Sequence, residues 1–350
     1  MPNIPFFKFL AIALPSAVLA ACGGGSSSAT SPVSVPPPTA PAPAPTPANV
    51  GVVERDILPA TTNPALTTFL SANFTIRPDG ATARGRLFVM LPGTTAIPRF
   101  YREIVRTGAQ RGYHGIGLSY PNAETVASFC VGSADPDCIG KARAEIITGT
   151  DASPVVTISP ANSISGRLAD LLRYLHATYP SEGWNQFLRG SDPDWSRISL
   201  GGHSQGAGHA GYAAKLFSLN RVAMFSGPGD TGMGMTVAAA WLSLPNITPP
   251  DRQFGFTHIN DELVPSAFLI SNWGLQGLAS FGAAASVDGA APPFGGSHRL
   301  TTTASPNANP PAPVPEPAHS APVVDAVTPL DTSGAPLYRS VWIHMAFPDT

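Results

Sequence analysis

The chain has 350 residues, of which 43% are hydrophobic and 12% charged, and its formal net charge is −2. That apolar content is enough for one sizeable α/β core. The near-neutral balance, with no long run of Lys and Arg, argues against nucleic acid as a partner, because phosphate binding depends on a basic face.

Lys8 precedes an apolar run at 9–21, broken by Pro15 and Ser16, that ends Leu19-Ala20-Ala21-Cys22. Such a segment reads as an export signal and not as part of a fold. The small residues before Cys22 resemble a bacterial lipobox. The resemblance implies a leader at 1–21, lipidation of Cys22 as the new N-terminus, and a membrane partner reached through that lipid anchor. Gly23 follows Cys22 where an Asp would imply retention at the inner membrane, so the resemblance favours the outer membrane. Residues 23–49 are Gly, Ser, Pro, Ala and Thr almost throughout. They offer too few apolar side chains to offset ordering entropy, which predicts a tether over 22–50. Its Pro-Ala part is expected to extend at roughly 3 Å per residue. No stretch of about 18 apolar residues interrupts the remainder, so no membrane span is expected there.

The body is predicted to run over 51–350 as one α/β domain. Residues 52–75 hold two edge strands, and Arg86-Leu87-Phe88-Val89-Met90-Leu91 is a strand buried on both faces. A helix is expected over 97–111, with Phe100, Ile104 and Val105 on one face and Arg99, Arg102 and Arg106 between them. A strand at 115–120 follows. The stretch 123–163 does not fit a simple β-α unit and reads as an insert. Within it stand Cys130 and Cys138, and in an exported protein a local disulfide is expected. A zinc pair is the rival reading, but a third and fourth ligand at zinc spacing are missing nearby.

Residues 165–179 form an amphipathic helix, with Leu168, Leu171, Leu172 and Leu175 on one face. Strands are expected at 198–200, 222–225, 254–258 and 299–303, and a helix at 207–219. Strands alternating with helices imply a mostly parallel central sheet with helices on both faces. The Gly-Ala-rich stretch 266–297 is a second insert. Its Phe268, Leu269, Ile270, Trp273, Leu275, Leu278 and Phe281 either pack into the core or form a flap over an apolar acyl pocket.

Between the strand at 198–200 and the next helix stands Gly202-His203-Ser204-Gln205-Gly206. A bare G-x-S-x-G says little, and its position between a buried strand and a helix is what gives it weight. A serine on a tight strand-to-helix turn projects its hydroxyl above the carboxyl ends of the strands, where open α/β sheets place their sites. Residues two positions away on either side must be small, which Gly202 and Gly206 satisfy.

Strand, Gly-His-Ser-Gln-Gly and helix together resemble the nucleophile elbow of the α/β-hydrolase superfamily, its lipase and esterase branch most. The likeness spans residues 86–324. It implies the α/β-hydrolase fold and a serine hydrolase that cleaves a small-molecule or lipid ester through an acyl-enzyme on Ser204. No cofactor and no metal are implied. The superfamily's chain order then calls for an acid and a His downstream.

The acid is expected in Asn260-Asp261-Glu262-Leu263-Val264-Pro265, after the 254–258 strand, with Asp261 as first choice and Asp230 and Glu262 as alternatives. The base is expected on a loop beyond the last strand. His319 fits that place, while His298 and His344 are the alternatives. The N–H of Gln205 and that of Thr94, in the Pro92-Gly93-Thr94 turn, are the expected oxyanion donors. That turn lacks the His-Gly pair of many lipases. A catalytically silent hydrolase-fold lipoprotein, acting as a surface binding or structural module, is the competing reading.

Overall fold

A computed structural model describes residues 51–79, 83–232 and 237–348. The expected leader, Cys22 and the tether lie outside the described residues.

The elements follow in chain order. β1 (Val52–Ile57) and α1 (Pro59–Thr62) lead to β2 (Asn73–Pro78), β3 (Leu87–Leu91), α2 (Arg102–Gln110) and β4 (His114–Gly117). Three helices come next: α3 (Val126–Phe129), α4 (Cys138–Thr148) and α5 (Ile164–Thr178). A separate hairpin of β5 (Leu188–Arg189) and β6 (Asp192–Pro193) precedes β7 (Ile198–His203), α6 (Gln205–Leu216) and β8 (Arg221–Phe225). The chain closes with β9 (Gln253–His258), α7 (Ser266–Leu275), β10 (Ala285–Ser286), β11 (Arg299–Thr302), α8 (Pro317–Ser320) and α9 (Arg339–Ala346).

Among the described residues nine strands make one sheet in the order β1-β2-β4-β3-β7-β8-β9-β11-β10. It is a mixed, mostly parallel sheet, and β2 is the strand that runs against its two neighbours. The protein is thus an α/β protein. β2 lies inside the sheet and not at its edge, because β1 pairs along its outer side.

Alternation along β3 divides the core. Leu87, Val89 and Leu91 join one apolar cluster, shared with Leu168, Leu171, Leu172 and Leu175 of α5 and with Ala207 and Ala210 of α6. Phe88 and Met90 join the other, with Ile104 and Val105 of α2 and Val341, Trp342 and Met345 of α9. Both faces of β3 are covered, which is why its run is apolar without interruption. Phe100, by contrast, is exposed at its place in the 3-10 turn before α2. The arginines expected between the apolar positions of α2 meet Glu54 on β1, with Arg102 Nη2 and Arg106 Nη1 both 2.8 Å from its Oε1.

The stretch 123–163 holds α3 and α4, joined by the Cys130–Cys138 disulfide. The stretch 266–297 is core packing in its main part. Leu269, Trp273 and Leu278 are buried in the α5–α6 cluster, and a Cβ on Gly255 of β9 would stand 2.2 Å from the Trp273 ring. Among the described residues no helix is long and apolar enough to cross a membrane.

Strand order fixes where a site can form. From β3 the chain moves to β4 on one side, and later enters β7 on the other. The carboxyl ends of β3 and β7 therefore flank a topological switch point, the place where open α/β sheets leave a crevice.

Candidate active site

β7 ends in a turn at Ser204, whose φ is 53° and ψ −115°. Residues with a Cβ rarely adopt such angles unless their surroundings over-determine them. Here the Ser204 N–H donates to the Phe225 carbonyl at 2.8 Å, and the Ser204 carbonyl accepts from Gly208 at 3.2 Å. The flanking glycines are sterically required. A Cβ on Gly202 would stand 2.1 Å from the Gly206 carbonyl oxygen, and one on Gly206 would stand 2.2 Å from that of Leu91.

The turn after β3 lies against the serine. A Cβ on Gly93 would be 3.4 Å from the Ser204 Cβ. Asn122 Nδ2 braces this turn by donating to the Gly93 carbonyl at 2.7 Å and the Ala96 carbonyl at 2.9 Å. Tyr120 Oη donates to the Pro92 carbonyl at 2.7 Å. The Gly93 N–H is already engaged with Tyr101 Oη at 3.0 Å. Among the described residues the Thr94 N–H has no acceptor. The Gln205 N–H opens α6, where a helix offers its first donors no internal partner. Thr94 Oγ1 also donates to Gln205 Oε1 at 3.1 Å, which ties the two residues together.

Asp261 and His319, the expected acid and base, meet across 58 residues of the C-terminal third. Asp261 follows β9, and its Oδ1 accepts from the Leu263 and Val264 N–H groups at 2.9 and 2.8 Å. His319 rides on α8, and its Nδ1 lies 2.9 and 2.8 Å from the two Asp261 oxygens. The Asp261 and His319 side chains are 0% and 3% exposed. Burial alone would raise the Asp261 carboxyl. The bond from His319 and the two backbone donors outweigh it and hold the group below the usual carboxylate range. A carboxylate on Nδ1 fixes the tautomer with its proton there and leaves Nε2 as the free acceptor. His319 Nε2 is buried and has no hydrogen-bond partner among the described residues. His319 and Ser204 both line one open cleft of about 670 Å³. The rest of its wall is mainly apolar, with Phe100, Leu263, Pro311, Pro313, Val314 and Val324.

The alternatives are committed elsewhere. Asp230 makes a buried two-point ion pair with Arg143, with both contacts at 2.5 Å, and accepts from Trp241 Nε1 at 2.8 Å. Arg143 in turn donates to the Gln205 carbonyl at 3.1 Å, under the start of α6. Glu262 accepts from the Ala318 and His319 N–H groups at 2.9 and 2.7 Å, so it holds the backbone of α8 and not the imidazole. His298 stands before β11, at the amino end of the strands and away from Ser204, sandwiched between Phe254 and Phe281 at 4.0 and 3.7 Å. His344 packs on Phe254 and Phe294.

Of the two readings of 266–297, packing and flap, packing is the one the structure shows. No residue of 266–297 lines the cleft, because Leu269, Trp273 and Leu278 are consumed by the core. The wall comes from 307–316, a segment with no helical or strand periodicity to announce it. Two further residues escaped sequence reasoning. Tyr101 sits in a helical pattern that reads as core. His203 adjoins the serine, and that place in the sequence does not by itself say where its ring lies. His203 lines the cleft together with Tyr101. Among the described residues no three His, Cys, Asp or Glu side chains converge as a metal site.

No protein-family model matches the chain, and no curated protein matches it.

Proposed function

We propose that the protein is a serine carboxylic-ester hydrolase with the α/β-hydrolase fold. The observation that carries this reading is the meeting of a strained strand-to-helix serine with a buried Asp261–His319 pair in one cleft. A serine hydroxyl is a poor nucleophile until a base within reach takes its proton. His319 Nε2 is the acceptor available for that task, and Asp261 holds the ring in the required tautomer. His319 Nε2 has no partner among the described residues, and catalytic hydrogen bonds often form or tighten only once substrate is bound.

In this reading Ser204 Oγ attacks the ester carbonyl while His319 Nε2 accepts its proton. Negative charge builds on the carbonyl oxygen, where the N–H groups of Gln205 and Thr94 receive it. Each such donor is worth about 3–4 kcal/mol in the transition state. Collapse expels the alcohol, which takes the proton from Nε2, and the acyl group stays on Ser204. Water, giving a proton to the same nitrogen, then attacks the acyl carbon, and Nε2 returns that proton to Ser204 Oγ as the acid leaves. The apolar wall supports an uncharged acyl group as substrate. Leu19-Ala20-Ala21-Cys22 and the low-complexity stretch after it support an exported, lipid-anchored enzyme.

The test is hydrolysis of a series of nitrophenyl esters by the purified chain, with Ser204→Ala and His319→Ala alongside. Turnover is expected in the native chain and a loss of about 10⁴-fold or more in each variant. A folded native chain that turns over no ester would favour the silent scaffold.

A further inference from the structure

His319 sits on a four-residue helix in a Pro-rich segment. Something must hold its backbone still if the ring is to stay aimed. Its N–H is taken by Glu262 Oε2 at 2.7 Å. Its carbonyl lies 3.2 Å from His203 Nε2. A carbonyl can only accept, so Nε2 of His203 carries the proton and its Nδ1 is bare. Tyr101 Oη stands 3.0 Å from that Nδ1 and also accepts the Gly93 N–H at 3.0 Å. The phenol proton therefore goes to His203. The whole run is buried, with Tyr101 0% and His203 5% exposed.

We propose that Tyr101 and His203 are positioning residues that tie the turn after β3 to the backbone of His319 through one buried hydrogen-bond chain. The chain runs from Gly93 N–H to Tyr101 O–H, on to His203, and from His203 Nε2–H to the His319 carbonyl. Three parts that must agree to a fraction of an ångström converge on it. They are the turn that carries Thr94, the residue just before Ser204, and the loop that carries the base. By engaging the Gly93 N–H, Tyr101 also leaves Thr94 as the free donor of its turn. Burial pushes His203 down to about 3, so the relay keeps one protonation pattern while His319 takes and returns its proton. The role assigned here rests on the ester-hydrolase reading for its kinetic consequence but not for its structural one.

The side-chain isosteres separate the two ends of the relay. Asn at 203 places its amide where Nδ1 stands and keeps the Tyr101 bond. Gln places its amide where Nε2 stands and keeps the His319 bond. Phe keeps neither. His203→Phe and His203→Asn, which both release the His319 carbonyl, are expected to lower kcat by about tenfold or more with KM within about twofold, and His203→Gln, which keeps that carbonyl but releases Tyr101, to restore only part of the loss. A second readout does not need turnover. The proton between His319 Nδ1 and Asp261 is expected far downfield in the proton NMR spectrum, identified by its absence in His319→Ala. It should vanish or shift in His203→Phe and persist in His203→Gln.

An unchanged kcat and an unchanged resonance in folded His203→Phe would overturn the proposal. So would equal losses in the Phe and Gln variants that merely track a fall in Tm. A chain that hydrolyses no ester, yet whose downfield proton still depends on His203, would end the ester reading and leave the positioning role standing.

Discussion

Ser204 adopts a backbone conformation that a serine resists, and its neighbours explain how it persists. The flanking glycines were legible in advance because the need for them is local: a Cβ two residues away meets backbone in any such turn. Asp261 was chosen by resemblance, as the Asp of an Asp-x-x-Val-Pro loop after a late strand, and in the structure its carboxylate turns back onto the Leu263 and Val264 N–H groups. The role of its neighbour was not legible. Asp261 and Glu262 both reach His319, one at the ring and one at the backbone, and only the tertiary fold separates those roles. Asp261→Asn tests the assignment at this scale. The amide presents a donor where a carboxylate accepted, which favours the wrong imidazole tautomer. A fall in kcat of about 10⁴-fold is expected, with the fold retained by circular dichroism. Near-native kcat would assign the acid elsewhere.

At the scale of elements, periodicity served best where a long element has one buried face, and failed at Phe100, which stands exposed before α2. The stretch expected at 165–179 is α5 within a residue at either end, since its leucines recur on a single side. The strand at 86–91 was equally plain. The 266–297 stretch stayed open between packing and flap because composition alone cannot say what an apolar side chain touches. Trp273 fills space over Gly255, whereas the wall of the cleft is a proline-rich run that looks like a linker in sequence. The two accounts of the acyl pocket part in a simple experiment. Val314→Trp should narrow the cleft and lower kcat/KM for a hexanoyl ester roughly tenfold more than for an acetyl ester. Phe268→Ala should leave the ratio of the two esters within about twofold. A reversed pattern in kcat/KM would return the pocket to the 266–297 segment.

At the scale of the whole molecule, strand order makes the site. β3 and β7 are neighbours in the sheet but far apart in the chain. The alternation of strands and helices pointed to a parallel sheet, but it could not show that the turns after these two strands meet. The same long-range packing sets how stability responds to pH. Asp325 lies beside the start of α2, where its carboxylate accepts from the Glu103 N–H at 3.2 and 3.3 Å, and burial raises it to about 8. The folded state thus holds a proton that the unfolded chain has released above a pKa of about 4. The sign follows. The native state binds more protons between those values, so this contribution is full below about pH 4 and is lost as pH rises to about 8. Buried His203 and His344 work the other way, but only below about 6.5, where the unfolded imidazole takes up its proton. Between about pH 6.5 and 7 the Asp325 contribution stands apart, because Lys215, which burial lowers to about 8, begins to lose its proton in the folded state above that and works the other way. Thermal melts should show native Tm falling over that range, with a shallower fall in Asp325→Asn. Parallel slopes would mean that the carboxyl is already ionised.

The most direct test of the central claim is covalent. The chain from residue 50 onward would be reacted with a fluorophosphonate, which modifies a serine only when that serine is activated, and the adduct located by peptide mass spectrometry. The adduct is expected on Ser204 in the native chain and absent in Ser204→Ala and His319→Ala. A folded native chain with no adduct on Ser204, or one whose His319→Ala variant labels as fast as native, would contradict the assignment of Ser204 and His319 as nucleophile and base.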